Sequence, residues 1–315
     1  MVDFAKIYLE NINLEKLIFS SVLDFDTGIS KTTGEIKEST LTAEYHFCKI
    51  TVKNATSIKP HIILAGSLHK MWNSLNDVKA SNFNVNKVYK GFNGNLFTLN
   101  DFISLKKHLE NLFDCKASQM VFQNIEFGIN TNLNFYPTDY LKGLLYHKNN
   151  LFEFSHSGNY AQAKHTNYIL KIYNKSFQYE MPERVLRVEV KYIKMIELLS
   201  LNIKTLADIN ETTLSNAKKA LLKRFNEVVY YDYTIDKTKL AKCKIMSLQK
   251  YSNPRYWIED IKPIHRDRPK KELSEIILNH SQNLHNQIKC EIENCVIINR
   301  SSIGLIITQK AMTES

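Results

Sequence analysis

Three short stretches of this chain place apolar side chains at every second position, with charged, polar or small residues and one tyrosine between them. In residues 124–130, Ile125, Phe127 and Ile129 alternate with Glu126, Gly128 and Asn130. In 168–175, Leu170 and Ile172 alternate with Lys171, Tyr173 and Lys175. In 186–191, Leu186, Val188 and Val190 alternate with Arg187, Glu189 and Lys191. A period of two is that of a β-strand, whose side chains point to opposite faces in turn. If the three strands are neighbours, one face is core and the other gathers two carboxylates, a tyrosine and several cations. Such a face has two readings. One is a solvated sheet surface laced with cross-strand ion pairs, which antiparallel sheets commonly carry. The other is a metal-dependent phosphodiester site. Carboxylate oxygens suit Mg²⁺ or Mn²⁺, the metal and a cation offset charge developing on phosphorus, and a tyrosine can attack phosphorus and become covalently linked to it.

The elements that must position these groups follow from pattern and punctuation. Residues 4–9 alternate as a strand, and 13–19 read as a short helix. The Thr-, Lys- and Gly-rich segment 25–42 reads as a loop or hairpin tip, and 44–52 and 61–65 as strands. Ser67 caps a short helix through Asn73, and the Asn-rich segment 73–95 reads as a long polar loop. Thr98 caps a helix carrying Phe102, Leu105, Leu109 and Leu112 at helical spacing. Residues 120–129 read as a strand, Pro137 opens a helix through Tyr146, and 168–175 and 185–192 are strands. This order predicts an α+β fold, a central mostly antiparallel sheet with flanking helices.

From Ile193 the pattern turns helical, with a short helix at 205–208 and an amphipathic one over 215–229. Tyr230-Tyr231-Asp232 closes a first domain, 1–232, and 233–315 form a smaller, basic, mostly helical domain. The densest charge there lies in 262–271, ahead of a helix expected over 272–290. Arg266, Arg268, Lys270 and Lys271 read either as solvated charges or as phosphate contacts of a DNA-binding accessory domain. Arg255 sits in a turn, Asn253-Pro-Arg-Tyr-Trp257, with aromatic anchors. The late apolar run 296–307, broken by polar 299–302, reads as a strand or buried helix end rather than a membrane span.

With 315 residues and 43% hydrophobic content, the chain has the composition of a globular protein. Its net charge of +10 points to a polyanionic partner. Neither a GxxxxGK[ST] nor a GxGxxG motif is present, which excludes the familiar nucleotide enzymes and any helicase built on them. The five cysteines form no CxxC pair and read as reduced thiols of a reducing compartment. The first nineteen residues lack the long apolar core of a signal peptide or spanning helix. A cytoplasmic protein with no membrane partner is the expectation.

The run Tyr168-Ile-Leu-Lys-Ile-Tyr173-Asn-Lys175, followed by Leu186-Arg187-Val-Glu189-Val-Lys191, resembles a strand pair of phage and plasmid replication proteins. Those of the II/X type and the plasmid rolling-circle initiators share its "I-Y-x-K … R-x-E" order. The 124–130 strand, the turn of 155–165, Thr205-Leu-Ala-Asp208 and the 253–257 segment are similar as well. The resemblance spans residues 124–257 and is vague over the first hundred. It implies a relaxase-like fold that nicks single-stranded or hairpin origin DNA in a bacterial host. A 5′-phosphotyrosine intermediate, a divalent cation (Mg²⁺ or Mn²⁺), and a host helicase and polymerase as partners are implied too.

On this resemblance Glu126 and Glu189 would be metal ligands, and Tyr173 the leading nucleophile, with Tyr179, Tyr168 and Tyr231 as alternatives. Lys175 would stabilise phosphate charge, Arg187 would pair with phosphate or a carboxylate, and Lys171, Lys191 and Arg255 would join the DNA contacts. One departure is plain: no two histidines stand two apart, so the His-apolar-His metal motif of related nickases is missing. His165 shares the parity of Tyr173 but lies eight extended residues away, roughly 26 Å, and reaches that site only if the strand bends. His69 reads either as a residue facing the site or as a capped core histidine. Two other readings stay open: a non-catalytic DNA-binding protein of the same lineage, and an RNA-binding or other phosphate-handling protein related by architecture alone.

Overall fold

A computed structural model describes residues 1–30, 32–80, 83–86 and 88–295. Alternation dominates the first half of the chain. Strand β1 (Val2–Leu9) leads through a short helix α1 (Leu14–Ile18), capped by Asn13, to β2 (Asp26–Ile29), β3 (Ile36–Tyr45), β4 (Cys48–Lys53) and β5 (His61–Ser67). Ser67 then caps α2 (Leu68–Leu75), its side chain accepting the Lys70 amide, and Thr98 caps α3 (Leu99–Phe113) in a reciprocal box with Asp101. Both caps are where the sequence places them.

Next come β6 (Met120–Asn132), α4 (Pro137–Leu141), β7 (Leu144–His147), β8 (Asn150–Leu151), β9 (Glu153–Ser155), β10 (Tyr160–Lys164), β11 (Tyr168–Asn174), α5 (Lys175–Tyr179) and β12 (Val185–Tyr192). Ten strands form one sheet in the order β2-β3-β4-β5-β1-β6-β12-β11-β10-β9, with every pairing antiparallel. The fold is therefore α+β with a large antiparallel sheet, as the pattern predicts.

The helical remainder contains α6 (Ile196–Leu199), α7 (Glu211–Asn226), a short strand β13 (Val228–Tyr230), α8 (Lys242–Tyr251), α9 (Asp267–His280) and α10 (Leu284–Asn294). Helices α7 and α10 cover β6, and their Leu214, Leu221, Phe225, Leu284, Ile288 and Ile292 share a core with Ile125, Phe127, Val188 and Val190. That core is the apolar face of the alternating strands, and its burial drives the packing. A second core gathers Leu248, Tyr251, Trp257, Leu273 and Ile276 against Tyr146 and Tyr231. Thus α8 and α9 build their own core beside β7 and β13, while α10 returns to the main sheet.

Four local expectations need correction. The stretch 44–52 is not one strand: the chain reverses at His46-Phe47, both with positive φ (45° and 64°), and β3 pairs with β4. Two such residues make the tight hairpin usually signalled by Asn-Gly, and neither residue gives that signal. Segment 25–42 is strand on both sides of its turn, β2 against β3. The helix from Pro137 stops at Leu141, and β7 follows after Gly143, where the backbone passes so close to Tyr231 that a Cβ would lie 2.2 Å from its carbonyl. Helix 272–290 is two helices, broken where Asn283 takes a left-handed φ of 50° and caps α10. Buried Asp232 holds this junction, accepting the Leu284 amide at 2.9 Å and the Ser281 hydroxyl at 3.2 Å. The apolar run 296–307 lies outside the described residues. Among the described residues, no helix is long and apolar enough to cross a membrane.

A candidate polyanion cleft on the charged sheet face

Strand register, more than side-chain reach, assembles the site. β12 lies between β6 and β11, so the three alternating stretches are neighbours. Lys171 stands directly across from Glu189, Tyr173 from Arg187, and Lys191 from Glu126. Directly opposed residues of opposite charge interact favourably, and here they do so under burial. The Lys171 ammonium lies 2.9 Å from Glu126 Oε1 and 2.9 Å from Glu189 Oε1, bridging the two carboxylates. Lys191 Nζ adds a second contact to Glu126 Oε1 at 2.9 Å. Arg187 Nε donates to Glu189 Oε2 at 2.9 Å, its Nη2 reaches Asp3 Oδ2 at 3.1 Å, and its Nη1 donates to Asn130 Oδ1 at 2.9 Å. Gly128 makes room for this guanidinium, since a Cβ there would sit 2.6 Å from Nη2.

Asp3 and Asn93 complete the arrangement. Asp3, on β1, accepts from the Ser67 hydroxyl through one oxygen and from Asn93 Nδ2 at 2.6 Å through the other. Asn93 Oδ1 in turn accepts from Lys175 Nζ at 2.6 Å and from the Tyr179 hydroxyl. Lys175 is fully buried, with its ammonium 5.2 Å from the Tyr173 ring centre and 5.1 Å from that of Tyr179. The Tyr173 hydroxyl donates to Glu189 Oε2 at 3.4 Å, and its ring packs 5.4 Å from that of Tyr160.

These contacts separate the titrations. Burial opposes the Glu189 charge, but Lys171 and Arg187 outweigh it and hold that carboxyl far below its usual range. Burial, with the neighbouring Glu189 charge, pushes Glu126 up to about 7. Burial also pulls Lys175 down to about 7, helped by Arg187, and raises Tyr173 well above the ordinary phenol value, with Glu189 adding to the rise. One floor thus holds a fixed carboxylate beside an acid and an amine that both titrate near neutrality.

A cleft of about 550 Å³ opens over this floor. Its wall includes Glu126, Glu189, Lys171, Tyr173 and Lys175 from the alternating stretches, Lys70 and Lys90 from outside them, and Tyr160 and exposed Phe177 at its margin. Of the tyrosines considered from sequence, Tyr173 lines the cleft and Tyr179 adjoins it through Asn93. Tyr168 lies at the other end of β11 beside His165 and Arg224, and Tyr231 is buried in the second core. Arg187 pairs with carboxylates, and instead of the cleft it lines a neighbouring hollow of about 380 Å³ with His69, Asn95 and Asn130.

His69 is a buried core residue: Nε2 is 2.8 Å from Asn95 Oδ1, the ring stacks on Phe97, and burial pulls it down to about 3. The strand does not bend to bring His165 to Tyr173. Its Nε2 is 2.7 Å from His147 Nδ1, at the far end of the sheet. The C-terminal basic residues divide. Arg255, Arg268 and Lys271 are exposed, and Lys270 is half-buried over Tyr146. Arg266 is buried, donating to Asn149 Oδ1 at 2.8 Å and to the Ile261 and Ile258 carbonyls. None of these five lines the cleft. Sequence reasoning missed Asp3 and Asn93, and no local signal in the chain marks either one.

The divalent cation implied by the resemblance can be tested against these donors. Each oxygen of Glu189 and Oε1 of Glu126 already faces an ammonium or guanidinium, and Asp3 is held by Arg187 and Asn93. A metal between Glu126 and Glu189 would have to displace Lys171 and leave a buried ammonium unpaired, at high cost. Among the described residues, no group of three or more His, Cys, Asp and Glu side chains could hold a metal ion. The donor set does not fit a resident Mg²⁺ or Mn²⁺. No protein-family model matches the chain, and no curated protein matches it.

Proposed function

We propose that this protein is a replication initiator of the rolling-circle type, which binds single-stranded or hairpin origin DNA and nicks one strand through a tyrosine. The supporting observation is convergence. Tyr173, Lys175, Lys171, Glu126 and Glu189, singled out from three separate stretches, all line one cleft. Tyr173 attacks the phosphodiester, Lys175 faces the charge that develops on phosphorus, and Lys70 and Lys90 draw the DNA backbone to the cleft. The chain's net charge of +10 favours the encounter. A host helicase would unwind the nicked duplex and a host polymerase would extend the free 3′ end. Incubation with single-stranded DNA from its own replicon, followed by a denaturing gel, tests the reading. A protein–DNA adduct is expected, and its absence with a verified origin would leave no nicking activity to explain.

A second reading, a DNA-binding protein of the same lineage without catalysis, is favoured by one feature. The Tyr173 hydroxyl is held at Glu189 and burial raises its pKa, so the phenol resists ionisation. Salt-sensitive origin binding with no adduct is the outcome that reading expects.

A further inference from the structure

We propose that the cleft supplies its own positive charge and handles phosphodiesters without a divalent cation, Lys171 standing where a metal would bridge Glu126 and Glu189. The inference deepens the proposed function and rests on its reading that a tyrosine attacks a DNA phosphodiester. Three observations carry it.

The ion pairs are built into the strand register. Lys171 opposes Glu189 and Lys191 opposes Glu126 on paired strands, so neither pair depends on a mobile surface side chain. Charge also closes locally: three carboxylates, Asp3, Glu126 and Glu189, meet three cations, Lys171, Lys191 and Arg187. Added dication charge finds no net negative charge to neutralise. Finally, the cluster is desolvated, with side-chain exposures of 14% for Lys171, 8% for Glu126 and 2% for Glu189, so exchanging an ammonium for a hydrated metal is unfavourable. Beyond the closed cluster, Lys70, whose ammonium donates to the Lys90 carbonyl at 2.7 Å, and exposed Lys90 line the cleft wall where phosphate oxygens would lie, with Lys175 buried behind them on Asn93.

The chemistry balances without a metal. The tyrosine oxygen forms a bond to phosphorus as the bond from phosphorus to the 3′ oxygen breaks. The phenol proton ends on that 3′ oxygen. Nothing is oxidised or reduced, no water is consumed, and fixed ammonium groups offset the charge on the phosphoryl oxygens.

The test is a calorimetric titration of the full chain with MnCl₂, alongside adduct formation on origin DNA in EDTA and in Mn²⁺. The expected result is no Mn²⁺ binding in the wild type that Glu126→Gln removes, and equal adduct yield in both buffers. Lys171→Ala should create a Mn²⁺ site at least tenfold tighter than any in the wild type, lost again when Glu126→Gln is added. Micromolar wild-type binding abolished by Glu126→Gln, or an adduct formed only with Mn²⁺, would overturn the proposal. The wild-type titration needs no variant, so misfolding of Lys171→Ala leaves the decision intact. If no adduct forms in either buffer, the nicking reading fails, and the titration still decides how the cleft is charged.

Discussion

Two arginines singled out by sequence end up buried, and their surroundings differ. Arg187, on β12, faces two carboxylates, Asp3 and Glu189. Arg266, ahead of α9, faces neutral oxygens, the Ile258 and Ile261 carbonyls and the Asn149 amide. Both satisfy their donors, as buried polar groups must. Arg187, however, belongs to a network of alternating charge beneath the cleft, whereas Arg266 ties a turn of the helical region to the 147–150 loop. A basic residue in a basic stretch can thus be a structural tie, and one in a strand can be the electrostatic foundation of a site.

Removing each arginine should expose that difference. Arg187→Met takes the guanidinium from two buried carboxylates, of which Glu189 keeps Lys171 while Asp3 loses its cation, and should cost about 3–5 kcal/mol in urea unfolding. Arg266→Met breaks hydrogen bonds to neutral partners and should cost about 1–3 kcal/mol. Equal costs would erase the distinction between network and tie.

The sheet-face site should also carry a pH signature above neutrality. Lys175 has its pKa lowered to about 7 by burial, against an ordinary 10.5. Between these values the unfolded chain holds a proton that the folded chain does not, so stability rises with pH through that window. The slope from this one group approaches about 1.4 kcal/mol per pH unit. Unfolding free energies at pH 7 to 9 should rise more steeply in the wild type than in Lys175→Met, and parallel curves would place the amine in a different environment.

The smallest expected effect concerns DNA affinity. Lys90→Ala, at the cleft, should weaken origin binding a fewfold and reduce the salt slope by about 1. Arg268→Ala, on exposed α9, should leave the slope unchanged if the helical region stays off the DNA. Binding measured across a salt series decides, and a larger effect at Arg268 would move the DNA path onto the C-terminal helices.

Much of the fold was legible because the strands that carry the site alternate in sequence. The expected 185–192 strand is the observed β12, and 168–175 overshoots β11 by only Lys175, which opens α5. The two strongest helix caps, Ser67 and Thr98, are local signals that tertiary contacts reinforce. Legibility ended where the determinant was distant or conformational. Asp3 joins the site because β1 inserts between β5 and β6, and Asn93 because its loop folds back ninety residues later onto that strand. No local pattern encodes either contact. The His46-Phe47 reversal and the break before α10 rest on left-handed residues other than glycine, which propensity does not announce. Parity did bring together Glu126, Glu189, Lys171 and Tyr173. It could not show that the cations would meet the carboxylates rather than leave them free, because this depends on burial and on the register of three strands.

The residue that carries DNA decides whether the cleft nicks. Mass spectrometry of peptides from the protein–DNA adduct identifies it directly. A nucleotide on Tyr173, lost in Tyr173→Phe, is the result expected of nicking in the cleft. A nucleotide on a tyrosine away from the cleft, such as Tyr168 or Tyr231, or an undiminished adduct in Tyr173→Phe, would contradict it.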